Sequence, residues 1–138
     1  MRLEVSRTTY RIDKKLLERV AEAAFSFLKV SEDGFIELKF VSIDEITKLN
    51  MKYRNILDPT DVLSFNLGDN PVEGQVIICY NFVVEQANKL DKPFNHELSL
   101  LLVHGILHIY GYDHANTLEE TKMQETERQI LKMEGIKR

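Results

Sequence analysis

The sequence predicts an α+β fold in which a mixed sheet of about four strands packs against helices. The first indication is the predicted order of elements, β-α-β-α-β-β-α-α-α, with short connections. The second is a strongly apolar run at residues 98–112 that contains no proline. A run of this length predicts a buried helix at the centre of the molecule, apolar nearly all the way round. No repeat or linker divides the chain of 138 residues, so we expect one domain over residues 1–138.

The first half of the chain carries clear start signals for its elements. Alternating apolar residues predict a short strand at residues 2–6, and Asp13 is placed to begin the helix that follows. After a turn at residues 31–34, a second strand is expected at residues 35–41. Ser42 and the glutamate three residues later form the sequence pattern of a capping box, which predicts the start of the second helix.

The second half is predicted to contain two strands and then three helices. The strands are expected at residues 61–67 and 74–79, joined by a loop at residues 68–71. The second of these strands is apolar enough to be central in the sheet. Helices are expected at residues 81–90 and 117–133, on either side of the apolar helix, for which Asn95 is the predicted N-cap.

Composition is that of an ordinary soluble globular protein, with 43% hydrophobic and 29% charged residues. No apolar run approaches the roughly 20 residues of a membrane span, and the first residues do not resemble a signal peptide. The single cysteine, Cys79, excludes an internal disulfide and is typical of a small core residue in a reducing compartment. We therefore expect a cytoplasmic protein without a membrane partner. The net charge of −4 argues against a broadly basic surface but permits a local basic groove.

Three of the four histidines lie within eleven residues of one another. His104 and His108 are four apart in the apolar helix, so their rings lie on one face and can reach one metal ion. Gly111 is suited to end the helix, because glycine adopts positive φ without steric cost. The chain can then turn back and bring His114 to the same ion. Without a metal, neighbouring imidazoles in an apolar helix would need other polar partners. The pattern predicts zinc held by three neutral ligands with one open position, which is typical of catalytic sites.

The histidine spacing matches the metalloprotease pattern H-E-x-x-H-x-x-G-x-x-H at every histidine and at the glycine, which makes a zincin-like arrangement the expectation. The pattern departs at Gly105, where those proteases carry the glutamate that acts as general base. A glycine inside a helix costs about 1 kcal/mol relative to alanine, so Gly105 indicates close approach by another part of the molecule. Beyond His114 only one charged helix is predicted, with no room for the Met-containing turn of those proteases.

Two sequence blocks resemble the YbeY family of bacterial metal-dependent endoribonucleases, the ribosomal-RNA maturation factors. The first block contains His104, Gly105, Leu107, His108, Gly111, Tyr112, Asp113 and His114. The second contains Leu49, Asn50, Tyr53, Arg54, Asp58 and the run Thr-Asp-Val-Leu-Ser-Phe at residues 60–65. Agreement continues in Gly74 and the apolar run at residues 76–79. One departure is Gln75, where the family usually has an acidic residue.

The resemblance implies one zinc ion held by His104, His108 and His114, and an essential arginine at Arg54. It implies cleavage of single-stranded RNA, maturation of the 3′ end of 16S ribosomal RNA, and ribosome quality control. Ribosomal RNA and the small ribosomal subunit are therefore the expected partners. A metalloprotease lacking the usual glutamate and a non-catalytic, zinc-stabilised ribosome-assembly module are the alternatives. The oligomeric state and the cleavage site are not indicated.

The chemistry expected of a zinc site that cleaves RNA suggests roles for Arg54 and Asp113. Zinc bound by neutral imidazoles keeps its positive charge and lowers the pKa of bound water to about 7. Charge builds up on phosphate oxygens in the transition state, so a guanidinium such as that of Arg54 would stabilise it. The alternative for Arg54 is a surface ion pair with Asp58. Asp113 is expected either to orient a metal ligand or to form the turn before His114.

Overall fold

The computed structural model describes residues 2–30 and 33–136, which form a four-stranded mixed sheet and five helices. The strands are β1 (Arg2–Val5), β2 (Phe35–Val41), β3 (Val62–Asp69) and β4 (Val72–Cys79). The helices are α1 (Lys14–Leu28), α2 (Ile43–Arg54), α3 (Tyr80–Leu90), α4 (Phe94–Ile109) and α5 (Thr117–Met133). The predicted α+β class and the predicted order of elements are both confirmed. The turn expected at residues 31–34 lies partly outside the described residues, which begin again at Asp33.

The strands lie in the order β1-β2-β4-β3. β2 pairs in parallel with both β1 and β4, whereas β3 and β4 form an antiparallel hairpin. β4 is therefore an interior strand, as its apolar sequence predicted, and its last four residues are all buried. Because side chains alternate across a strand, β4 supplies two separate cores. Val76 and Ile78 face the larger core, and Ile77 and Cys79 face the smaller one.

Helix α4 lies in the larger core, between the sheet and the other helices on that face. It contacts α1, α3 and α5 as well as β3 and β4. Leu98, Leu102, Val103, Ile106 and Leu107 are each at most 1% exposed. Burial of this many large side chains, each contributing about 1.5–3 kcal/mol, fixes α4 in the interior. Helix α2 lies on the opposite face, where Ile46 belongs to the smaller core.

Local capping explains where several helices begin. The Asp13 side chain accepts a hydrogen bond from the Leu16 amide at the start of α1. Ser42 and Glu45 form the predicted capping box, in which each side chain accepts from the other residue's backbone N–H. In the part of the chain that the structure describes, no helix is both long and apolar enough to cross a membrane.

Two local predictions are wrong. Asn95 does not cap α4: the helix begins at Phe94, two residues earlier than predicted, with Pro93 as N-cap, and the Pro93 carbonyl accepts from the amides of His96 and Glu97. The ring of Phe94 packs on Tyr80, with 5.1 Å between ring centroids, which draws this residue into the first turn.

The loop between the two hairpin strands is also shorter than predicted. The strands continue to Asp69 and resume at Val72, leaving only Asn70 and Pro71 as the turn. The side chain of Asn66 stabilises this extension: its amide donates to the Asp69 carboxylate, and its carbonyl accepts from the Gly68 amide. Short polar residues and glycine indicated a loop here, but their hydrogen bonds extend the strand across a bulge between Asn66 and Gly68.

Candidate metal centre

Helix α4 places His104 and His108 side by side. The two rings stand nearly perpendicular, with 4.6 Å between their centroids. Their Nε2 atoms are 3.1 Å apart. This proximity follows from helical geometry, because residues four apart lie one above the other on the same face. Two nitrogen atoms so close are placed to bind one ion of the size of Zn²⁺.

The end of α4 turns the chain back toward these rings. Gly111 adopts φ of +91° directly after the C-cap residue Tyr110, as its position in the sequence predicted. The Gly111 amide donates to the His108 carbonyl at 3.1 Å, and the Tyr112 amide donates to the Leu107 carbonyl at 3.0 Å. This pair of bonds is the Schellman motif, which closes a helix through a residue of positive φ.

His114 completes the group beyond this turn. Its ring centroid lies 5.8 Å from that of His104 and 5.1 Å from that of His108. One ligand atom from each of the three histidines lies within 4.8 Å of the others. The Asp113 carboxylate accepts a hydrogen bond from the His114 amide at 2.7 Å, so it holds the turn that presents this ring. The structure thus brings together the three predicted ligands, and their role in metal binding stays a prediction.

A buried carboxylate that the sequence did not reveal supports His104. Oε2 of Glu127, on α5, lies 2.7 Å from Nδ1 of His104, and the Glu127 side chain is only 3% exposed. Glu127 shares the inward face of α5 with Met123, Ile130 and Leu131. An acidic residue at helical spacing among apolar ones was the available signal. Its partner lies 23 residues earlier in the chain, a distance over which sequence periodicity gives no information.

The environment of His108 favours the neutral form that binds metal. Burial lowers the pKa of His108, and the neighbouring His104 and His114 lower it further. A neutral imidazole has a free lone pair, whereas an imidazolium does not. His104, with Glu127 at Nδ1, has Nε2 left for an ion. These features fit the donor set of a metal centre with three imidazole ligands.

A cavity of about 200 Å³ opens beside the histidines. Its lining includes two of the histidines and three carboxylates: His104, His114, Asp61, Glu120 and Glu127. Asp61 precedes β3, and its carboxylate accepts a long hydrogen bond from the Thr60 hydroxyl at 3.4 Å. The cavity provides space next to the histidine nitrogens for water or part of a substrate.

Arg54 lies apart from this cavity in the structure. It is the last residue of α2, it is exposed, and it is not among the residues that line the cavity. The alternative of an ion pair with Asp58 is not observed between these two described residues. The loop after Arg54 is held by Asn50, whose side-chain amide donates to the Asp58 carbonyl at 2.9 Å. This loop leads directly to Asp61 at the cavity.

Gly105 packs against the sheet, which agrees with the close approach expected from the sequence. A Cβ atom at this position would lie 2.8 Å from Cγ1 of Val76 and 3.0 Å from its Cγ2. The side chain of any other residue would therefore meet β4 at once. The general-base glutamate of the protease pattern has no room at this position without a shift of α4 or β4, which weakens the metalloprotease alternative.

Gln75 precedes Val76 on β4, and its side-chain amide contacts the neighbouring strand β2. Its Nε2 donates to the carboxylate of Glu37 on β2 at 2.6 Å. The other carboxylate oxygen of Glu37 accepts from the Ser6 hydroxyl at 2.9 Å. An acidic side chain at position 75 would face the Glu37 carboxylate, so glutamine is the compatible partner in this chain.

Comparison with known proteins identifies the family of this chain and agrees with its fold. The family model described as endoribonuclease YbeY matches residues 3–135. An endoribonuclease YbeY from Aliarcobacter butzleri is 40% identical over 124 residues, covering 87% of this chain and 84% of the relative. Another, from Limosilactobacillus reuteri, is 38% identical over 159 aligned positions and covers all of both chains. The solution structure of TM1509 from Thermotoga maritima superimposes with a TM-score of 0.64 at 30% identity, covering 95% of this chain and 90% of that one. The chain therefore belongs to the endoribonuclease YbeY family of hydrolases.

Proposed function

We propose that this chain is a zinc-dependent endoribonuclease that cleaves single-stranded RNA. The observation that carries the proposal is the convergence of His104, His108 and His114 beside a cavity. Family membership supports the reaction class. We further propose that it acts as a single domain in the cytoplasm, on ribosomal RNA of the small subunit. Its roles there are maturation of the 16S 3′ end and ribosome quality control.

The protein's own groups account for binding and charge stabilisation. The three imidazoles would hold the ion, and the lowered pKa of His108 keeps that ligand neutral. When bound, zinc supplies positive charge that lowers the pKa of water and polarises phosphate oxygens. The cavity beside His104 and His114 has room for the reacting part of the substrate.

Arg54 has the role of a phosphate-binding cation in this proposal. A guanidinium offers several N–H donors in a fixed plane that matches phosphate oxygens. Arg54 is exposed and not paired with Asp58, so it is accessible to an RNA strand running from α2 along the loop to Asp61. Its separation from the cavity suits contact with a phosphate adjoining the one that is cleaved.

Cleavage of a labelled single-stranded RNA, measured alongside metal content, tests the proposal. We expect about one zinc per chain, loss of zinc and cleavage in His104→Ala/His108→Ala, and slower cleavage with zinc retained in Arg54→Ala. Removing one charged hydrogen bond to a phosphate, worth about 1.5–3 kcal/mol, should slow cleavage by about 10–100-fold. Lys52→Ala, which removes a neighbouring exposed cation from α2, is the matched control and should remain active.

Three results would contradict the proposal in different ways. Unchanged cleavage in Arg54→Ala would remove this residue from the mechanism. Zinc bound in stoichiometric amount without cleavage of any single-stranded RNA would favour the non-catalytic module. Histidine-dependent degradation of casein in place of RNA would favour the metalloprotease.

A further inference from the structure

We propose that Glu127 is a positioning residue that fixes the tautomer of His104 and thereby joins α5 to the metal centre. The proposal rests on the metal site of the proposed function, but it does not depend on RNA cleavage. Glu127 lies outside the histidine motif at residues 104–114. It comes from the charged C-terminal helix, whose sequence otherwise resembles a solvated surface element.

The geometry assigns different tasks to the two nitrogens of His104. Nδ1 is 2.7 Å from Oε2 of Glu127, and Nε2 is 3.1 Å from Nε2 of His108. A neutral imidazole carries one N–H, and an ionised carboxylate only accepts hydrogen bonds. The N–H of His104 is therefore held at Nδ1, and the lone pair of Nε2 points toward the other histidines. A carboxylate in this position also makes the ring a better electron donor to a metal.

Burial makes this interaction more than a surface contact. The Glu127 side chain is 3% exposed, and that of His104 is 29% exposed. Taking a carboxylate out of water is costly unless hydrogen bonds and opposite charge compensate. A metal ion on His104 would place positive charge one imidazole ring away from this buried carboxylate. The charge of Glu127 thus becomes better compensated when the site is loaded.

A structural consequence follows for α5. The helix packs against α4 and α1, and Met123, Ile130 and Leu131 are buried on the face that carries Glu127. Metal bound by α4 and by the following turn would strengthen the contact between Glu127 and His104. We therefore expect metal binding to protect α5, and not only α4, against local opening.

Zinc affinity and histidine tautomers, measured on the full chain, test the proposal. Competition with a chromophoric chelator gives the dissociation constant for zinc, and long-range ¹H–¹⁵N spectra of ¹⁵N-histidine protein without metal give the tautomers. We expect Glu127→Ala to weaken zinc binding by about 10–100-fold. Glu127→Gln should weaken it less, because an amide oxygen still accepts the Nδ1–H bond. His104 should be the Nδ1–H tautomer in the wild type and the Gln variant, and should lose this preference in the Ala variant.

Glu125→Gln is the matched control, since it changes the same charge at an exposed position two residues away on α5. It should leave affinity and tautomers unchanged. A folded Glu127→Ala variant that binds zinc as tightly as the wild type, or keeps the Nδ1–H tautomer, would overturn the proposal. Wild-type protein that binds no zinc would overturn the metal site itself, which separates the two failures.

Discussion

Replacing Gly105 by alanine tests whether the histidine helix is pressed against the sheet as the structure describes. The added Cβ would lie 2.8 and 3.0 Å from the two methyl carbons of Val76, well inside the ordinary contact distance of about 3.5–4.0 Å. Overpacking of this kind costs about 1–3 kcal/mol. Alanine in place of glycine inside a helix returns about 1 kcal/mol. We therefore expect Gly105→Ala to lower the free energy of unfolding by roughly 1 kcal/mol.

A double-mutant cycle with Val76→Ala separates these two effects. With both methyl groups of Val76 removed, the nearest atom to the added Cβ at position 105 would be Cβ of residue 76, at an ordinary contact distance of 3.5 Å. In that background Gly105→Ala should stabilise the protein by about 1 kcal/mol, so the coupling free energy is roughly 2 kcal/mol. Urea unfolding of the wild type, the two single variants and the double variant measures this coupling free energy. Gly68→Ala is the control, since a Cβ there meets no atom within 4 Å. Equal effects of Gly105→Ala in both backgrounds would refute the contact.

Two further predictions concern the turn and the titration of the site. Gly111→Ala should destabilise the protein by about 1–2 kcal/mol, because residue 111 has a positive φ. It should also weaken zinc binding, because this turn presents His114. Urea unfolding measures the first effect and chelator competition the second, and a zinc affinity equal to that of the wild type would contradict the second. The pKa of His108 is lowered below its ordinary value of 6.5, so the unfolded state binds more protons. Metal-stripped protein should therefore lose stability as pH falls below about 6.5. In urea unfolding between about pH 7.5 and 5.5, the stability of His108→Gln should depend less on pH. An equally steep pH dependence in the variant would assign the loss of stability to other groups.

Local patterns were sufficient to predict the parts of the site that lie close together in sequence. The spacing of His104 and His108, the positive φ of Gly111 and the return to His114 are all contained in eleven residues. Glu127 was missed because its contact with His104 depends on how α5 packs, and packing between distant segments leaves no periodic signal. The same limit applies to Arg54, since the sequence block that contains it gives no distance to the histidines.

The misplacement of the α4 start has a related cause. Asn95 has the preferred chemistry of an N-cap, but Phe94 packs on Tyr80, and an aromatic pair is worth about 0.5–1.5 kcal/mol beyond the apolar area it buries, against about 1 kcal/mol for a capping hydrogen bond. Tertiary contact thus overrode local preference at the end of the helix where apolar packing was available. At the other end, around Gly111, backbone conformation decided the outcome, and the sequence prediction was correct there.

Placement on α4 explains why the histidine group can be well ordered before any ion binds. On either side of His104, Val103 and Gly105 are buried, and the residues between Gly105 and His108 are completely buried. The two histidines are therefore the half-exposed positions on an otherwise enclosed stretch, and His104 lines the cavity. A helix fixed on the sheet side by Val76 and on the α5 side by Glu127 has little freedom to move these rings. Metal binding at such a site would not have to order the helix first, which lowers its entropic cost.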